Sequence, residues 1–212
     1  MTTSELKTAT VVVGAAVIAD AARAASGAAS VDELIAAIQS KDDQVRGPAW
    51  QNAGPSGAPA VKPLAQRMTD PDYETARSAK RALWVIVRHA GRPGADREAK
   101  AVATELIASL SGPPVVQREV LWMLSEIAGD EAVAPMAALL SNADLREDAR
   151  CALTRMPGNK PTAELSKAFK SAPEEFKYAL ADSLRARGVK VSGYPTRKLV
   201  PTKQTSVKAA GR

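Results

Sequence analysis

The chain repeats a pattern of two short amphipathic segments, and this repetition restricts the possible folds more than any other feature. The segments AVKPLAQRM (60–68) and AVAPMAALL (132–140) both carry Ala-Val, a proline two residues later, and then Leu or Met. A short acidic turn follows each one, TDPD (69–72) or SNAD (141–144). Each turn leads into a second segment with apolar residues at helical spacing, YETARSAKRALWVI or LREDARCALTRM. The pattern predicts helix–turn–helix units in series.

Three further stretches fit the second segment: VRGPAWQNA (45–53), VQREVLWML (116–124) and FKYALADSL (176–184). An apolar residue closes this segment in every unit, and the closing residues are Ala53, Leu83, Leu124, Leu153 and Leu184. With one exception they recur at a period of about 30 residues, which with two helices per unit is typical of an α-solenoid. The exception is the wider spacing from Leu83 to Leu124, which predicts an inserted loop at RHAGRPGADREA (88–99).

Residues that cap helices stand near the predicted helix ends. Glycines follow the second helices, where a left-handed cap residue is expected: Gly54, Gly91, Gly129, Gly158 and Gly188. Aspartates stand at or near the second-helix starts, where a carboxylate accepts from free N–H groups: Asp43, Asp72 and Asp144. The composition agrees with an all-helical fold, since aromatic residues make up only 4% of the chain and alanine, the best helix former, is abundant.

The units resemble HEAT repeats of the short bacterial kind, similar to repeats found in phycobilisome lyases. The resemblance rests on the Ala-Val-x-Pro-Leu/Met first helices, the turns that contain aspartate, and the second helices that begin Val45-Arg46-x-x-Ala49 and Leu145-Arg146-x-x-Ala149. It covers roughly residues 31–188 and implies an all-α, right-handed α-solenoid of about five HEAT-like helix-turn-helix repeats. Two units depart from the pattern, because Ala76 and Gln117 occupy the arginine position. Such repeats serve many roles, so the resemblance implies a fold rather than a partner.

The first segment, residues 1–30, leaves three interpretations open: a secretory signal, a packed helix and a disordered segment. Lys7, the apolar run 9–19 and the small residues after it resemble a secretory signal. Glu5 and Asp20, on either side of the run, favour an alanine-rich helix that packs on the first repeat. The run is too short to span a bilayer. Both a cytoplasmic and an exported protein are compatible with this segment.

The last segment, residues 189–212, is predicted to be a basic, extended tail that is partly packed and partly disordered. Gly193, Pro195 and Pro201 interrupt regular structure, and Leu199 and Val200 are candidates for packing on the last repeat. Residues 185–212 carry eight basic side chains and no acidic one. The rest of the chain therefore holds 21 basic and 23 acidic groups, a net charge of −2 within the total of +6. The body of the chain is nearly neutral.

The sequence predicts no catalytic site, metal site or cofactor. A single cysteine, Cys151, excludes an intrachain disulfide and a cysteine-based zinc cluster. A single histidine, His89, excludes the His-Glu pairs with which some HEAT-like enzymes bind two irons. Cys151 is adjacent to the apolar side of a predicted helix and is interpreted as a packing residue. His89 has no nucleophile motif near it and is interpreted as structural.

A helical wheel places the tryptophans and several arginines of the second helices away from the apolar side. In HEAT-like stacks the second helices usually line the concave surface. The hypothetical binding residues are Trp50, Arg77, Arg81, Trp84, Arg88, Arg118, Trp122 and Arg150. Arg118 and Trp122 have the spacing for a stacked pair. The alternative is that the tryptophans pack between neighbouring units while the arginines are solvated.

These observations predict a non-enzymatic scaffold, a monomer, that binds a protein partner through its concave face and the loop 88–99. Tryptophan and arginine are the residue types most often found at binding hot spots. One alternative is a nucleic-acid binder with a groove lined by Trp and Arg, although the near-neutral body argues against it. A second alternative, implied only by the resemblance, is a lyase-like helper in cofactor attachment.

Overall fold

The computed structural model describes residues 30–197, which form ten α-helices and no β-strand. The all-α prediction is confirmed for this part of the chain. The helices are α1 Val31–Ile38, α2 Asp43–Gln51, α3 Gly57–Arg67, α4 Tyr73–Ala90, α5 Asp96–Ser109, α6 Pro114–Ile127, α7 Val133–Ala138, α8 Arg146–Arg155, α9 Lys160–Ser171 and α10 Glu174–Ala186. Short 3₁₀ turns lie at Gly54–Ser56, Asp130–Ala132 and Leu139–Ser141. Residues 1–29 and 198–212, with the predictions made for them, lie outside the described part.

The helices pack mainly against neighbours in sequence. Each odd-numbered helix packs on the even-numbered helix that follows it, from α1 on α2 to α9 on α10. The even-numbered helices also pack on one another in order, α2 on α4, α4 on α6, α6 on α8 and α8 on α10. Among the odd-numbered helices, α1 contacts α3, α3 contacts α5, and α7 contacts α9. This order keeps the contacts local and gives one buried apolar cluster that runs from Leu34 to Leu184.

The closing residues of the second segments lie in this cluster. Leu83, Leu124 and Leu153 are 0% exposed, and Ala53 and Leu184 are also buried. Full burial of a leucine side chain contributes about 1.5–3 kcal/mol relative to exposure. The helical spacing of apolar residues therefore identified the buried side of α4, α6, α8 and α10, whereas Ala53 lies beyond the end of α2.

Side chains cap the first turns of α1 and α4, and one of them, Asp72, was predicted from the sequence. Ser30 and Glu33 form a capping box at α1. Asp72 caps α4, because its Oδ2 accepts from the Thr75 backbone N at 3.0 Å. The Nζ of Lys41 donates to Asp72 Oδ1 at 2.7 Å. The bonds from Lys41 and Thr75 hold the pKa of Asp72 far below its usual range.

Two of the predicted aspartate caps are wrong. Asp42, one residue before Asp43, caps α2 by accepting from the Gln44 backbone N at 2.8 Å. No side chain among the described residues caps α8. The backbone N of Asp144 donates instead to Asn142 Oδ1 at 2.9 Å, so that the asparagine forms the turn before α8.

Polar side chains at the arginine position tie α2 and α6 to the turn that precedes each of them. Arg46 is 7% exposed, and its guanidinium donates to the Ser40 carbonyl at 2.7 Å and pairs with Asp43. Gln117 occupies the same position in α6, and its Nε2 donates to the Leu110 carbonyl at 2.5 Å. Although this unit has glutamine in place of arginine, its side chain still bonds to the preceding turn.

The prediction of an inserted loop at 88–99 is wrong. The helix α4 continues to Ala90 and α5 starts at Asp96, so only residues 91–95 lie outside the helices. Val87 and Ala90 are buried, which shows that the apolar side of α4 extends beyond the expected end. Arg92 closes the turn with two bonds to the Glu98 carboxylate, each 2.7 Å, and these bonds lower the pKa of Glu98. The extra residues of this unit therefore lengthen its helices.

The glycines after the second helices have different roles. Gly158 and Gly188 have φ angles of 83° and 80°, in the left-handed region that was predicted for all five. Gly54, Gly91 and Gly129 do not have positive φ, so the prediction is wrong at these positions. Gly54 is needed for space, because a Cβ atom there would lie 2.9 Å from the His89 Cβ. His89 therefore serves as a packing residue against the turn that follows α2.

Replacing two glycines with alanine should change stability in opposite directions. Gly54→Ala is expected to lower the free energy of unfolding by about 1–3 kcal/mol, because the new methyl overpacks the site against His89. Gly47→Ala is expected to raise it by about 0.5–1 kcal/mol, because Gly47 lies inside α2 with nothing within 4 Å of the added atom. Urea denaturation followed by circular dichroism measures both changes. A stable Gly54→Ala variant would contradict the close contact.

The described part of the tail, residues 189–197, packs on the last helix pair without forming a helix or strand. Val189 and Val191 join the apolar cluster. The Tyr194 ring lies edge-on against Phe169 and Tyr178, with ring centroids 5.1 and 5.2 Å away. We call residues 189–197 the C-terminal strap, since they cover part of α9 and α10.

Polar contacts hold the end of the C-terminal strap. The Thr196 hydroxyl donates to Asp182 Oδ1 at 2.6 Å, and the bonds from Thr196 and Arg185 lower the pKa of Asp182. The Arg197 guanidinium lies 3.3 Å from the centroid of the Tyr178 ring and pairs with Glu175 at 2.6 Å. The proposed contacts of Leu199 and Val200 lie outside the described residues.

Candidate functional site

The eight residues predicted for a binding surface lie on the even-numbered helices. They are Trp50 on α2, Arg77, Arg81, Trp84 and Arg88 on α4, Arg118 and Trp122 on α6, and Arg150 on α8. All three tryptophans are partly exposed, as are Arg77, Arg81 and Arg150, while Arg88 and Arg118 are exposed. Contacts between successive even-numbered helices link these side chains into one surface, here called the even-helix face.

The first contact joins α2 to α4. The guanidinium of Arg81 lies over the Trp50 ring, with its carbon 5.0 Å from the ring centroid. A cation over an indole face is attracted by the negative potential of the ring. The edge N–H groups of a stacked guanidinium remain directed outward, so Arg81 keeps donors for a further acceptor.

The second contact joins α4 to α6 through Glu119. The Trp84 indole N–H donates to Glu119 Oε2 at 3.1 Å, and Lys80 Nζ pairs with Glu119 Oε1 at 3.2 Å. Arg88, one turn further along α4, lies over the Trp84 ring at 5.6 Å. The indole is therefore held at its edge by an acid and at its face by a cation.

The third contact joins α6 to α8 and differs from the predicted pair. Arg155 of α8, rather than Arg118, lies over the Trp122 ring at 5.0 Å and pairs with Glu126 at 3.3 Å. Arg118 turns to α8 instead, where its guanidinium lies 3.4 Å from Asp148 Oδ2 and 3.1 Å from the Asp144 carbonyl. The predicted stack of Arg118 on Trp122 is wrong, because the neighbouring helix offers Arg118 a carboxylate.

Two of the predicted binding residues, Arg150 and Arg77, form hydrogen bonds or ion pairs with other side chains of the protein. The side chain of Arg150 is only 19% exposed, and it donates to Glu147 at 2.8 Å and to the Ser183 hydroxyl at 2.7 Å. Arg77 pairs with Glu74 at 3.0 Å, one turn earlier on α4. These two arginines therefore brace helices and also border the solvent.

Arg81 and Arg88 differ from the other cations of the face. Among residues 30–197 neither forms an ion pair with a carboxylate, whereas Arg77, Lys80, Arg118 and Arg155 each do. Both are held over indole rings. The surface of α4 thus carries two ordered guanidinium groups whose charge is not neutralised by a neighbouring acid in the described structure.

Five partners that complete these contacts were not predicted from the sequence: Lys80, Glu119, Glu126, Asp148 and Arg155. A signal for them was present in the repeat period. Trp50 and Arg81, Trp84 and Glu119, and Trp122 and Arg155 each stand roughly one period apart along the chain. Residues about one period apart face each other when equivalent helices stack, so a search at that distance would have found them.

The remaining candidates for chemistry are isolated. Cys151 is half-buried, and its Sγ lies 3.3 Å from the Arg150 guanidinium. His89 packs on Gly54, and its Nε2 lies 3.9 Å from Glu98 Oε2. Within residues 30–197, no three His, Cys, Asp or Glu side chains are grouped to bind a metal ion. In the same range, every helix is too short or too polar to cross a bilayer.

No protein-family model matches the chain, and a comparison with curated proteins found none that matches. The resemblance to HEAT repeats therefore stays a prediction, and the proposed function rests on the residues of the even-helix face.

Proposed function

We propose that the chain is a right-handed α-solenoid of about five HEAT-like repeats that binds another protein through its even-helix face. The order of helix packing supports this architecture, because successive even-numbered helices contact one another along the chain. Stacked repeats of this kind offer an extended surface made by equivalent helices. The turn at residues 91–95, much shorter than the predicted loop, is a minor part of the proposed surface.

The observation that carries the proposal is the row of three partly exposed tryptophans, each with an arginine over its ring. A large aromatic side chain held in place by a neighbour loses little conformational freedom when a partner binds. Tryptophan and arginine also dominate the residues whose removal most weakens protein complexes. A row of such pairs on successive helices suits a protein surface or segment.

The nucleic-acid alternative has less support on this face. Glu74, Glu119, Glu126 and Asp148 all stand among the arginines. A nucleic-acid backbone needs a concentrated positive surface, and interspersed carboxylates repel it. No contact among the described residues favours a lyase-like helper. That the chain is not an enzyme and is a monomer remain predictions.

The test compares two exposed charge reversals, one on the even-helix face and one on an odd-numbered helix. Arg118→Glu on α6 and Lys100→Glu on α5 change the net charge equally. We expect affinity capture from a lysate of the source cell, with and without nuclease, to recover a protein with the wild type and with Lys100→Glu. Arg118→Glu should recover at least about tenfold less, which corresponds to the loss of one hot spot.

Other outcomes of this comparison contradict the proposal. Equal recovery by the two variants would show that the even-helix face is not the binding surface. Recovery that disappears with nuclease would favour the nucleic-acid alternative. Thermal unfolding of both variants controls for loss of the fold.

A further inference from the structure

We propose that the α4 part of the even-helix face binds an acidic peptide segment of the partner protein, an inference that rests on the proposed function. The contact residues are Tyr73, Arg81, Trp84 and Arg88. They follow one another at spacings of three, four or eight residues, which places them along one side of α4. At 1.5 Å per residue, the stripe from Tyr73 to Arg88 is about 22 Å long. An extended peptide of about seven residues spans that length.

The charge of the stripe indicates the chemistry of its occupant. Arg81 and Arg88 are its only cations without a carboxylate partner among the described residues, and Arg77 between Tyr73 and Arg81 already pairs with Glu74. A guanidinium can donate two parallel N–H hydrogen bonds to one carboxylate. These charge-assisted hydrogen bonds are shorter and stronger than hydrogen bonds between neutral groups. Arg81 and Arg88 are seven residues apart on α4, so their Cα atoms are separated by about 10 Å. Two glutamate or aspartate side chains of one segment suit this separation.

The aromatic residues add apolar contact on the same stripe. Tyr73 is 73% exposed, the highest value among the exposed large hydrophobic side chains of the described residues. The others, Val45 and Val115, also lie in the first turns of even-numbered helices, α2 and α6, which pack on either side of α4. An acidic segment that also carries an apolar residue therefore fits this stripe, with its apolar residue at Tyr73 and its carboxylates at Arg81 and Arg88.

Pre-organisation favours binding at Arg81 and Arg88 over the other exposed cations. The indole rings of Trp50 and Trp84 hold the two guanidiniums in place before a ligand arrives. An unsupported surface lysine loses more side-chain entropy when it binds a carboxylate. Glu119, fixed between Lys80 and Trp84, is an acid beside the stripe. A continuous phosphate backbone meets this acid, whereas a peptide with separated carboxylates avoids it.

The experiment uses a fluorescein-labelled 12-residue peptide with six glutamates and two leucines, and measures binding to the full chain by fluorescence anisotropy. The variant Arg81→Gln/Arg88→Gln is expected to bind about thirtyfold more weakly, because two charge-assisted contacts are lost. The control Lys62→Gln/Lys100→Gln removes the same charge from exposed positions on α3 and α5, and should bind like the wild type. Raising the salt concentration should weaken wild-type binding.

Further probes decide whether the site is specific for acidic peptides. A peptide with lysine at the six glutamate positions should not bind. A 12-nucleotide single-stranded DNA that binds the wild type more tightly than the acidic peptide would overturn the inference. So would an acidic peptide that does not bind, or that binds the Arg81→Gln/Arg88→Gln variant as well as the wild type.

Two controls keep the outcomes distinct. The double variant also removes the Arg81–Trp50 contact, which could disturb the fold. The single variant Arg88→Gln leaves that contact in place and changes only an exposed side chain, and it should weaken peptide binding severalfold. If the acidic peptide fails while Arg118→Glu still reduces capture of the partner, the inference about α4 is wrong and the proposed function stands. If both fail, the even-helix face is not a binding surface.

Discussion

Replacement of Arg187 with alanine is expected to lower the free energy of unfolding by about 3 kcal/mol. The Arg187 guanidinium donates to the carbonyls of Leu153, Thr154 and Met156 at 3.3, 2.8 and 2.6 Å. It also donates to the Gly158 carbonyl at 2.5 Å and to the Thr162 hydroxyl at 2.7 Å. These acceptors include the last carbonyls of α8, which have no partner within their own helix.

The loss is large because the site is partly buried and the acceptors would lack donors. Burial lowers the pKa of Arg187, although an arginine remains charged at neutral pH. The positive charge also lies at the negative end of the α8 dipole. Arg187→Lys retains that charge, but its single ammonium group cannot reach five acceptors. We therefore expect the lysine variant to recover only part of the lost stability.

Guanidinium chloride denaturation followed by tryptophan fluorescence measures these changes, and Lys190→Ala is the control. Lys190 is an exposed basic residue three positions further along the chain. Its replacement should change the free energy of unfolding by less than about 0.5 kcal/mol. If Arg187→Ala is as stable as Lys190→Ala, the network around the end of α8 contributes little.

Leu124→Ala is expected to lower the free energy of unfolding by about 3–4 kcal/mol. Leu124 is 0% exposed and lies in the apolar cluster on α6, which packs on α4, α5 and α8. Its truncation loses the transfer free energy of the removed carbon atoms and leaves a cavity. The surrounding helices are tied to each other by further contacts, so they cannot collapse fully into the space.

Val115→Ala provides the control on the same helix. Val115 is 49% exposed in the first turn of α6, so its truncation removes little buried surface. The same denaturation experiment should give a change below about 0.5 kcal/mol for this variant. Similar losses for Leu124→Ala and Val115→Ala would contradict the assigned orientation of α6.

The buried side of α4, α6 and α8 was predictable from the sequence because burial at helical spacing is a local pattern. Leu83, Leu124 and Leu153 recur at the same place in their units, and all three are fully buried. The helix lengths around residues 88–99 were not predictable from the same pattern. The wide spacing between Leu83 and Leu124 is equally compatible with an inserted loop and with longer helices. Burial of Val87 and Ala90 by neighbouring helices decides between the two, and the sequence does not contain that information directly.

The sequence placed the eight predicted residues on the second helices, but it did not predict the contacts that these residues make. Spacing within one helix shows that Arg118 and Trp122 are neighbours. It does not show that Asp148 attracts Arg118, or that Arg155 occupies the Trp122 ring, because both partners belong to another helix. Whether Arg81 and Arg88 meet an acid likewise depends on side chains about one repeat away.

The C-terminal strap has a consequence for polymerisation. A row of helix pairs ends in a pair whose outer side resembles the sides already buried between earlier pairs. Two copies of such a row can join head to tail, and a contact of this kind that does not close on itself extends into a filament. Tyr194 lies against Phe169 and Tyr178, while Val189 and Val191 join the apolar cluster. Because the strap covers these side chains on α9 and α10, an incoming copy would have to displace it in order to pack there.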